Sequence, residues 1–283
     1  PVNWFIAKGY LSLYDYMSVK PDNDDVMIIN SLRKRGADGD FSVREMSEKL
    51  DIRPSLERLC DTITRYAKGK KGIVYAIDIK HAEHIAEIYQ KNGIKAIALS
   101  SKTPDKDREE ILERFRNTQT GGKKPLKEGD IQVIVNVSLF DEGLDCPDVE
   151  FIQMARPTLS LSKYLQMVGR GLRVYDGKRY CLILDNVGNY RLFGLPSDDR
   201  DWESMFVGGM KGKGDIKNPL FKSMDLREEV ADSKRTEMVS ILTHNEQVKD
   251  LEVEFGYTLF KGDDGRYGVR NKNGEVVVPA IYK

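Results

Sequence analysis

Near the middle of the chain, an amide, a small residue and two cations occur at helical spacing. In the stretch 164–178, YLQMVGRGLRVYDGK, Gln166, Arg170 and Arg173 recur every three or four positions, and Gly169 lies between them. Side chains at this spacing share one face of a helix. Each glycine inside a helix costs about 1 kcal/mol relative to alanine, and those at 169 and 171 leave room beside the arginines. We therefore predict that a second domain with a bound phosphate approaches this face. The alternative is that the arginines pair with surface carboxylates and the glycines only end the helix.

A second candidate segment, VNVSLFDEGLDCPDV at 135–149, follows a predicted strand. Glu142, Gly143 and Asp145 supply a tight turn with two carboxylates, and Pro147 fixes its exit. Ligands of open α/β sheets bind where strands end, so this segment is a candidate binding loop. An ordinary glycine and aspartate turn would have the same composition.

These motifs need a scaffold, and the hydrophobic pattern supplies one. Short apolar runs predict strands at 72–79, 95–100, 130–137, 149–155 and 179–185. Helical patterns lie between them, including 81–93 with Gly93 as its stop, a helix opened by Thr103 and Pro104, and one around 161–173 with Leu161, Leu165, Val168 and Leu172 as its apolar face. Repeated strand–helix–strand units predict an α/β fold with a parallel sheet and helices on both faces.

The flanking segments have a different character. A helix is expected at 54–67, and 207–219 is a Gly/Lys-rich linker. Residues 220–252 are charged and expected to be helical, whereas 253–283 contains short β-type runs separated by the turn signals GDDG and KNG. The expected division is 1–71 connector and leading helix, 72–206 α/β domain, 207–252 linker and helical segment, and 253–283 β unit.

The composition restricts the partners and the compartment. Among 283 residues, 45 Lys and Arg balance 45 Asp and Glu, so any nucleic-acid site must be a local patch or use backbone amides. The three cysteines form no CxxC pair, so no zinc site or disulfide framework is indicated and a reducing cytoplasm is expected. No apolar run has membrane-spanning length, so no membrane partner is expected. The chain begins at Pro1, which suggests an excised fragment.

Together these segments resemble a known family. Residues 72–202 are similar to the second RecA-like lobe of a superfamily 2 helicase or translocase. GIVYAIDIKHAEHIA resembles motif IV, VNVSLFDEGLDCPDVEFIQMARPTLS motif V and its continuation, and QMVGRGLR motif VI. CLILDNVGNYRLFGLPSDDRDW is similar to the segment after motif VI in the DNA repair and restriction-type branch. The C-terminal run resembles one WG-type repeat unit, with Tyr267-Gly268 where that family usually has Trp-Gly.

The resemblance implies roles for the candidate residues. In such motors ATP and Mg²⁺ lie between two lobes; the first lobe grips the phosphates and the metal, and the second contributes arginine fingers. By position, Arg170 and Arg173 are the expected fingers and Gln166 contacts nucleotide or water. Binding roles near the nucleotide fall to Gly143 and Asp145 on its sugar side, and to Glu142 and Gly169.

Nucleic acid is expected on another edge of the same lobe, where helix N-termini and exposed amides bind phosphates. The candidates are Asp78, Ile79, Lys80, Lys102, Thr103 and Ser138. For Ser138, a helix N-cap is an equal alternative. DNA is favoured over RNA because motif VI begins with glutamine and the segment after it resembles the DNA branch.

The elements that the first lobe would supply are missing from this sequence. No GxxxxGK[ST] pattern and no DEAD- or DEAH-like tetrapeptide occurs. The N-terminal run WFIAKGYLSLYDYMSVKP resembles the connector leaving a first lobe, so this polypeptide alone is expected to hydrolyse ATP negligibly. The alternative function is a RecA-like binding or scaffold module. A dinucleotide enzyme would need a glycine fingerprint directly after a strand, and none is present in that context.

Overall fold

The computed structural model describes residues 2–120, 126–137, 146–200, 237–256, 258–262, 266–271 and 273–282. The strands of the main sheet are β1 (Leu13–Val19), β2 (Gly72–Tyr75), β3 (Ala96–Ser100), β4 (Val133–Val137), β5 (Phe151–Met154), β6 (Tyr180–Asp185) and β7 (Met238–Leu242). Their order across the sheet is β3-β4-β2-β5-β6-β1-β7. All neighbouring strands run parallel except β7, which is antiparallel to β1. We call the edge where the parallel strands begin the amino edge, and the edge where they end the carboxyl edge.

The helices of the described part begin and end at local signals. They are α1 (Val2–Ala7), α2 (Asp24–Asn30), α3 (Val43–Leu50), α4 (Arg53–Tyr66), α5 (Ile79–Lys91), α6 (Asp105–Asn117), α7 (Leu161–Gly171), α8 (Tyr190–Phe193) and α9 (His244–Phe255). Asp78 caps α5 by accepting a hydrogen bond from the His81 N–H. The predicted stop at Gly93 is confirmed, since its φ of 79° is one that glycine adopts without strain.

The predicted parallel sheet with helices on both faces is confirmed. Side chains of β2 alternate between two apolar clusters: Ile73 and Tyr75 lie in one, and Val74 lies in the other. The first cluster is covered by α6 and α7, and the second by α4 and α5. α4, α5 and α6 each bury a stripe of side chains at helical spacing that apolar periodicity predicts. These are Leu56, Leu59 and Ile63 in α4, Ala82, Ile85 and Tyr89 in α5, and Ile111, Leu112 and Phe115 in α6. The core therefore holds each of these helices in a fixed place on the sheet.

The buried face of α7 agrees with the predicted one only in part. Val168 and Leu172 are buried as predicted, whereas Leu161 and Leu165 are only partly buried at the rim of the core. Tyr164, Met167 and Gly171, which the prediction left out, are also buried. Tyr164 buries its ring and satisfies its hydroxyl by donating to the Gly194 carbonyl at 2.9 Å. A buried tyrosine needs such a partner, which the sequence pattern does not reveal.

The main sheet includes strands from both flanks of the α/β region. β1 comes from the segment 1–71 and pairs with β6, and β7 pairs with the other side of β1. The prediction of helix throughout 220–252 is wrong at 238–242, because this short apolar run completes hydrogen bonds along β1. The helical part is confirmed from His244 onward. The predicted linker at 207–219 lies outside the described residues.

The C-terminal segment forms a small antiparallel sheet of its own. Its strands are β8 (Thr258–Lys261), β9 (Tyr267–Arg270) and β10 (Val276–Tyr282), in the order β10-β9-β8. Asn273 and Gly274 lie in the turn between β9 and β10, and Gly274 has a positive φ of 82°, which glycine adopts without strain. The predicted β-rich C-terminal unit is confirmed, and Val269 of β9 is buried against the main core.

Candidate nucleotide and nucleic-acid sites

The start of α7 is held by a carboxylate from a distant loop. Asp40, which is 2% exposed, accepts hydrogen bonds from the Leu159 N–H at 2.7 Å and from the Thr158 hydroxyl at 2.8 Å. It also accepts one from the Lys163 ammonium at 3.0 Å. Burial by itself raises the pKa of Asp40, but the hydrogen bonds from these donors lower it by more. The pKa of Asp40 therefore lies below its usual value. A negative charge at a helix N-terminus is favourable, so Asp40 fixes where α7 begins.

The two glycines of α7 have different roles. A Cβ at Gly171 would lie 2.5 Å from Cys181 Sγ and 2.7 Å from Ile152 Cγ1, so glycine is needed there for α7 to pack on the sheet. A Cβ at Gly169 would meet nothing within 4 Å. The expectation that both glycines leave room for a second body is therefore wrong for Gly171. It stays a prediction for Gly169, whose helical penalty the packing of this chain does not explain.

Arg170 and Arg173 are positioned by different structures. Arg170 lies in the last turn of α7, but the helix ends at Gly171, with Leu172 as its C-cap. Arg173 forms an isolated antiparallel bridge with Leu11. Helical spacing therefore does not orient Arg173, contrary to the prediction that the helix continues to residue 173. Arg173 is placed by its long-range pairing with the segment that precedes β1.

The two arginines nevertheless lie near one another. Burial raises the pKa of the Tyr75 phenol above its usual value, and the positive charges of Arg170 and Arg173 act against this rise. Both guanidinium groups are thus close enough to the tip of Tyr75 to influence it. Both side chains are half-buried, while Gln166 is exposed. Arg170 and Arg173 therefore share Tyr75 as a neighbour, and their joint action on a phosphate stays a prediction.

The other predicted nucleotide residues cannot be placed beside the arginine pair. Glu142, Gly143 and Asp145 lie outside the described residues, as does Ser138. Their segment connects the end of β4 at the carboxyl edge to Cys146, just before β5 at the amino edge.

The predicted nucleic-acid residues lie at the carboxyl edge. α5 follows β2 and α6 follows β3, and both strands flank β4. Residues 78–80 and 102–103 are therefore brought to the same edge, with Lys80 and Lys102 exposed. Exposed lysines beside helix N-termini suit phosphate binding.

Asp78 and Thr103 are occupied within the fold. Asp78 accepts hydrogen bonds from the His81 N–H at 2.9 Å and from the Ser47 hydroxyl. Burial by itself raises the pKa of Asp78, but these bonds bring it below its usual value. Its charge thus occupies the N-terminus of α5, and Ile79 is half-buried beside it. The lysines are the stronger candidates.

Thr103 does not cap α6 as predicted. Its hydroxyl accepts a hydrogen bond from the Ser100 N–H at 3.1 Å, which closes a turn, and Pro104 occupies the N-cap position. The correction shifts the helix start by one residue and leaves Thr103 half-buried at the carboxyl edge.

The arginine pair and these lysines lie at opposite edges of the sheet. α7 starts after the end of β5 and runs back, so that Arg173 pairs with Leu11, just before β1. Because β1 begins opposite the first residue of β6, this is the amino edge. A ligand of the arginine pair and a polymer bound by Lys80 and Lys102 could therefore occupy the domain together.

Asp40 and Lys178 were missed by the sequence reading. Both are buried and bond to backbone at the two ends of α7. Neither lies in a recognisable motif, since a charged residue in a loop is usually solvated. Only the three-dimensional arrangement reveals their partners.

No helix among the described residues is both long and apolar enough to cross a membrane. Among the same residues, no three His, Cys, Asp or Glu side chains form a group that could hold a metal ion.

Comparison with known proteins identifies the family of the central segment. Residues 54–175 match the family described as the helicase conserved C-terminal domain. The 51.5 kDa protein of a Lactococcus phage (isolate 7-9) is 34% identical over 213 residues, which are 75% of this chain and 43% of that protein. The putative ATP-dependent helicase IRC3 of Saccharomyces cerevisiae is 28% identical over 189 residues, which are 62% of this chain and 26% of that protein.

Among solved structures, the ATP-dependent Type ISP restriction-modification enzyme LlaBIII bound to DNA covers 65% of this chain and 12% of its own, at 15% identity and a TM-score of 0.44. The chain spans less than half the length of each of these relatives.

Proposed function

We propose that the chain is the second motor lobe of an ATP-dependent superfamily 2 helicase or translocase, because residues 54–175 match the helicase conserved C-terminal domain family. Arg170 and Arg173 serve as arginine fingers, and Gln166 contacts nucleotide or water beside them. The observation that supports the proposal is that Arg170 and Arg173 both act on the buried phenol of Tyr75, while the helix surface over Gly169 is open.

The chemistry of phosphoryl transfer explains why such a pair is useful. Negative charge redistributes over the phosphoryl oxygens in the transition state, and positive groups placed beforehand stabilise it. ATP with Mg²⁺ supplies the phosphoryl group when bound. This chain supplies cations on a helix whose start is fixed by Asp40 and whose packing on the sheet is fixed by Gly171. Gly143 and Asp145 are proposed to contact the sugar side of the nucleotide, and Glu142 and Gly169 to line the site.

A P-loop lobe is required as a partner under this proposal. No GxxxxGK[ST] pattern occurs in the 283 residues, so the phosphate cradle and the Mg²⁺ ligands must come from another lobe, in the same parent chain. The polypeptide by itself is therefore proposed to turn over ATP negligibly. The proposed nucleic-acid track lies at the carboxyl edge, with DNA favoured over RNA.

The test is steady-state ATP hydrolysis by this chain alone and by the motor that contains it with its P-loop lobe. Arg170→Ala is expected to lower kcat of the motor by about 10³-fold or more, because an arginine finger contributes about 10³–10⁵ in rate. Lys91→Ala is the control, since Lys91 is an exposed partner of Glu87 at the far end of α5. An unchanged rate for Arg170→Ala, or robust turnover by the chain alone, contradicts the proposal. In the first case the alternative of a binding or scaffold module stands.

A further inference from the structure

The end of α7 raises a structural question. If Arg170 and Arg173 act as a pair, something other than helix geometry must hold Arg173, because α7 ends at Gly171. The bridge to Leu11 fixes the strand-like path of residue 173. In addition, the Arg173 carbonyl accepts a hydrogen bond from the Ser12 hydroxyl at 2.9 Å. These contacts tie Arg173 to β1, and the Ser12 N–H also donates to the carbonyl of Leu172, the C-cap of α7. None of these contacts reaches the Gly171 carbonyl, at the last residue of the helix that carries Arg170.

Lys178 links the Gly171 carbonyl, at the end of α7, to the Arg173 carbonyl. Its Nζ donates to the Gly171 carbonyl at 2.6 Å, to the Arg173 carbonyl at 2.8 Å and to the Pro147 carbonyl at 3.1 Å. An ammonium group has three donors, and all three are used. Lys178 is 8% exposed, so these carbonyls replace most of its water. A cation at a helix C-terminus is also favoured by the helix dipole.

Two of the three carbonyls belong to the proposed arginine pair. Gly171 ends the helix that carries Arg170, and Arg173 is the second proposed finger, while Pro147 anchors the ammonium from the segment before β5. Resting on the proposed function, we propose that Lys178 is a positioning residue that sets the geometry of the two arginines relative to each other. It acts through the backbone and does not itself contact the nucleotide.

Burying an ammonium is costly unless all its donors are satisfied, and burial lowers the pKa of Lys178 below the usual value for lysine. The cost is balanced only because the three carbonyls converge on one point. Catalytic groups must be held within a fraction of an ångström, since a displacement of about 1 Å can cost about 100-fold in rate. The ammonium of Lys178 holds Arg173 by its carbonyl at a position where the hydrogen bonds of α7 have already ended.

The experiment compares Lys178→Met, which keeps the length of the side chain but removes its donors, with Lys178→Arg, which keeps charge and donors. In the motor with its P-loop lobe, Lys178→Met is expected to lower kcat about 10- to 100-fold with little change in KM, and Lys178→Arg to recover part of the loss. Lys95→Met is the matched control. Lys95 is half-buried, and its ammonium donates to the Leu126 and Lys127 carbonyls in the loop before β4. Its loss is expected to lower stability but to leave kcat within about twofold, because it touches neither α7 nor the segment around Pro147.

A double-mutant cycle separates positioning from general destabilisation. If Lys178 acts through Arg173, then Lys178→Met has no further effect on kcat in an Arg173→Ala background. If the two losses multiply, the inference is overturned while the proposed function stands. If Arg173→Ala alone leaves kcat unchanged, the proposed function fails at that residue.

Hydrogen exchange on this chain tests the same inference without activity. The Ser12 N–H donates to the Leu172 carbonyl at 2.7 Å, next to the carbonyls that Lys178 binds. Lys178→Met is expected to speed exchange of the Ser12 and Leu172 amides, whereas Lys95→Met leaves them unchanged. Equal exchange in the wild type and Lys178→Met overturns the inference, whatever the ATPase result.

Discussion

At the scale of single residues, Gly169 and Gly171 show how two identical residues in one helix turn serve different purposes. Gly171 is required by packing, since a methyl group there would overlap Cys181 and Ile152. Gly169 faces open space, so its cost to the helix is not repaid by contacts within the described chain. The proposed ligand of the arginine pair supplies a reason for it.

This difference predicts opposite effects of the same substitution. Gly171→Ala is expected to lower the free energy of unfolding by about 1–3 kcal/mol through overpacking. Gly169→Ala is expected to raise it by up to about 1 kcal/mol through helix propensity. Urea denaturation of this chain measures both values. Similar shifts in the two variants would show that the packing difference is not real.

Under the proposed function, Gly169→Ala has a second effect. A more stable variant should hydrolyse ATP more slowly in the motor, because the added methyl group lies where the ligand approaches. Faster or equal turnover would remove the functional reason for Gly169 and leave its helical penalty unexplained.

At the scale of elements, α7 is a helix held by opposite charges at its two ends. Asp40 binds the approach to its first turn, and Lys178 binds the carbonyls at its last turn. This arrangement complements the helix dipole. It also means that the orientation of α7 depends on residues far away in the chain, and Asp40 provides a way to test this through pH.

The pH dependence of stability follows from the lowered pKa of Asp40. A carboxyl group whose folded pKa lies below its unfolded value, about 3.9, stabilises the fold above that value. The contribution is lost as pH falls through the folded pKa. Asp40→Asn is therefore expected to cost about 1.5–3 kcal/mol at pH 7, because Asn cannot accept from all the donors. The cost should shrink as pH falls below about 4.

Asp38→Asn is the matched control, because Asp38 also binds Lys163, at 2.7 Å, but is exposed. The effect of Asp38 should disappear in about 0.5 M salt, where exposed pairs are screened, whereas that of Asp40 should persist. Thermal melting across pH 2–7 at two salt concentrations gives the comparison. A pH-independent cost for Asp40→Asn would mean that the carboxylate is not the stabilising group.

α7 and its neighbours show which features of the fold can be predicted from the sequence and which cannot. The strands, the stripes of α4 to α6 and the α/β fold class follow from local apolar periodicity, which a short window contains. The burial of Tyr164, the end of α7 at Gly171 and the position of Arg173 depend on Gly194, Cys181 and Leu11. Such long-range partners leave no local pattern. Helical spacing was therefore the wrong reason for expecting Arg173 beside Arg170, because Arg173 is placed by its bridge to Leu11.

At the scale of the whole molecule, the sheet separates two proposed activities. The arginine pair lies at the amino edge, and Lys80 and Lys102 lie at the carboxyl edge. The parallel strands and packed helices form a continuous core between them. A separation of this kind allows one edge to be changed while the other is left intact.

The corresponding prediction concerns nucleic-acid binding by this chain. Lys80→Ala combined with Lys102→Ala is expected to weaken binding of a single-stranded DNA oligonucleotide and to reduce the slope of log affinity against log salt by about 0.7 per lysine. Fluorescence anisotropy over a salt series measures both quantities, and Lys91→Ala, at the other end of α5, should leave them unchanged. An unaltered salt slope in the double variant would place the polymer elsewhere.

An RNA oligonucleotide of equal length is expected to bind less tightly than DNA, and the reverse order would reject the preference for DNA.

The position of β1 also constrains how the protein is made. β1 lies between β6 and β7 and has hydrogen-bonding partners on both sides only when residues 180–185 and 238–242 are in place. A ribosome releases β1 well before β6 and β7, so this strand must wait, with unpaired backbone groups, while more than 200 residues are added. Its paired state is reached late because contacts between distant residues form slowly. During that interval residues 13–19 can pair with another chain, and a chaperone that shields them would prevent this.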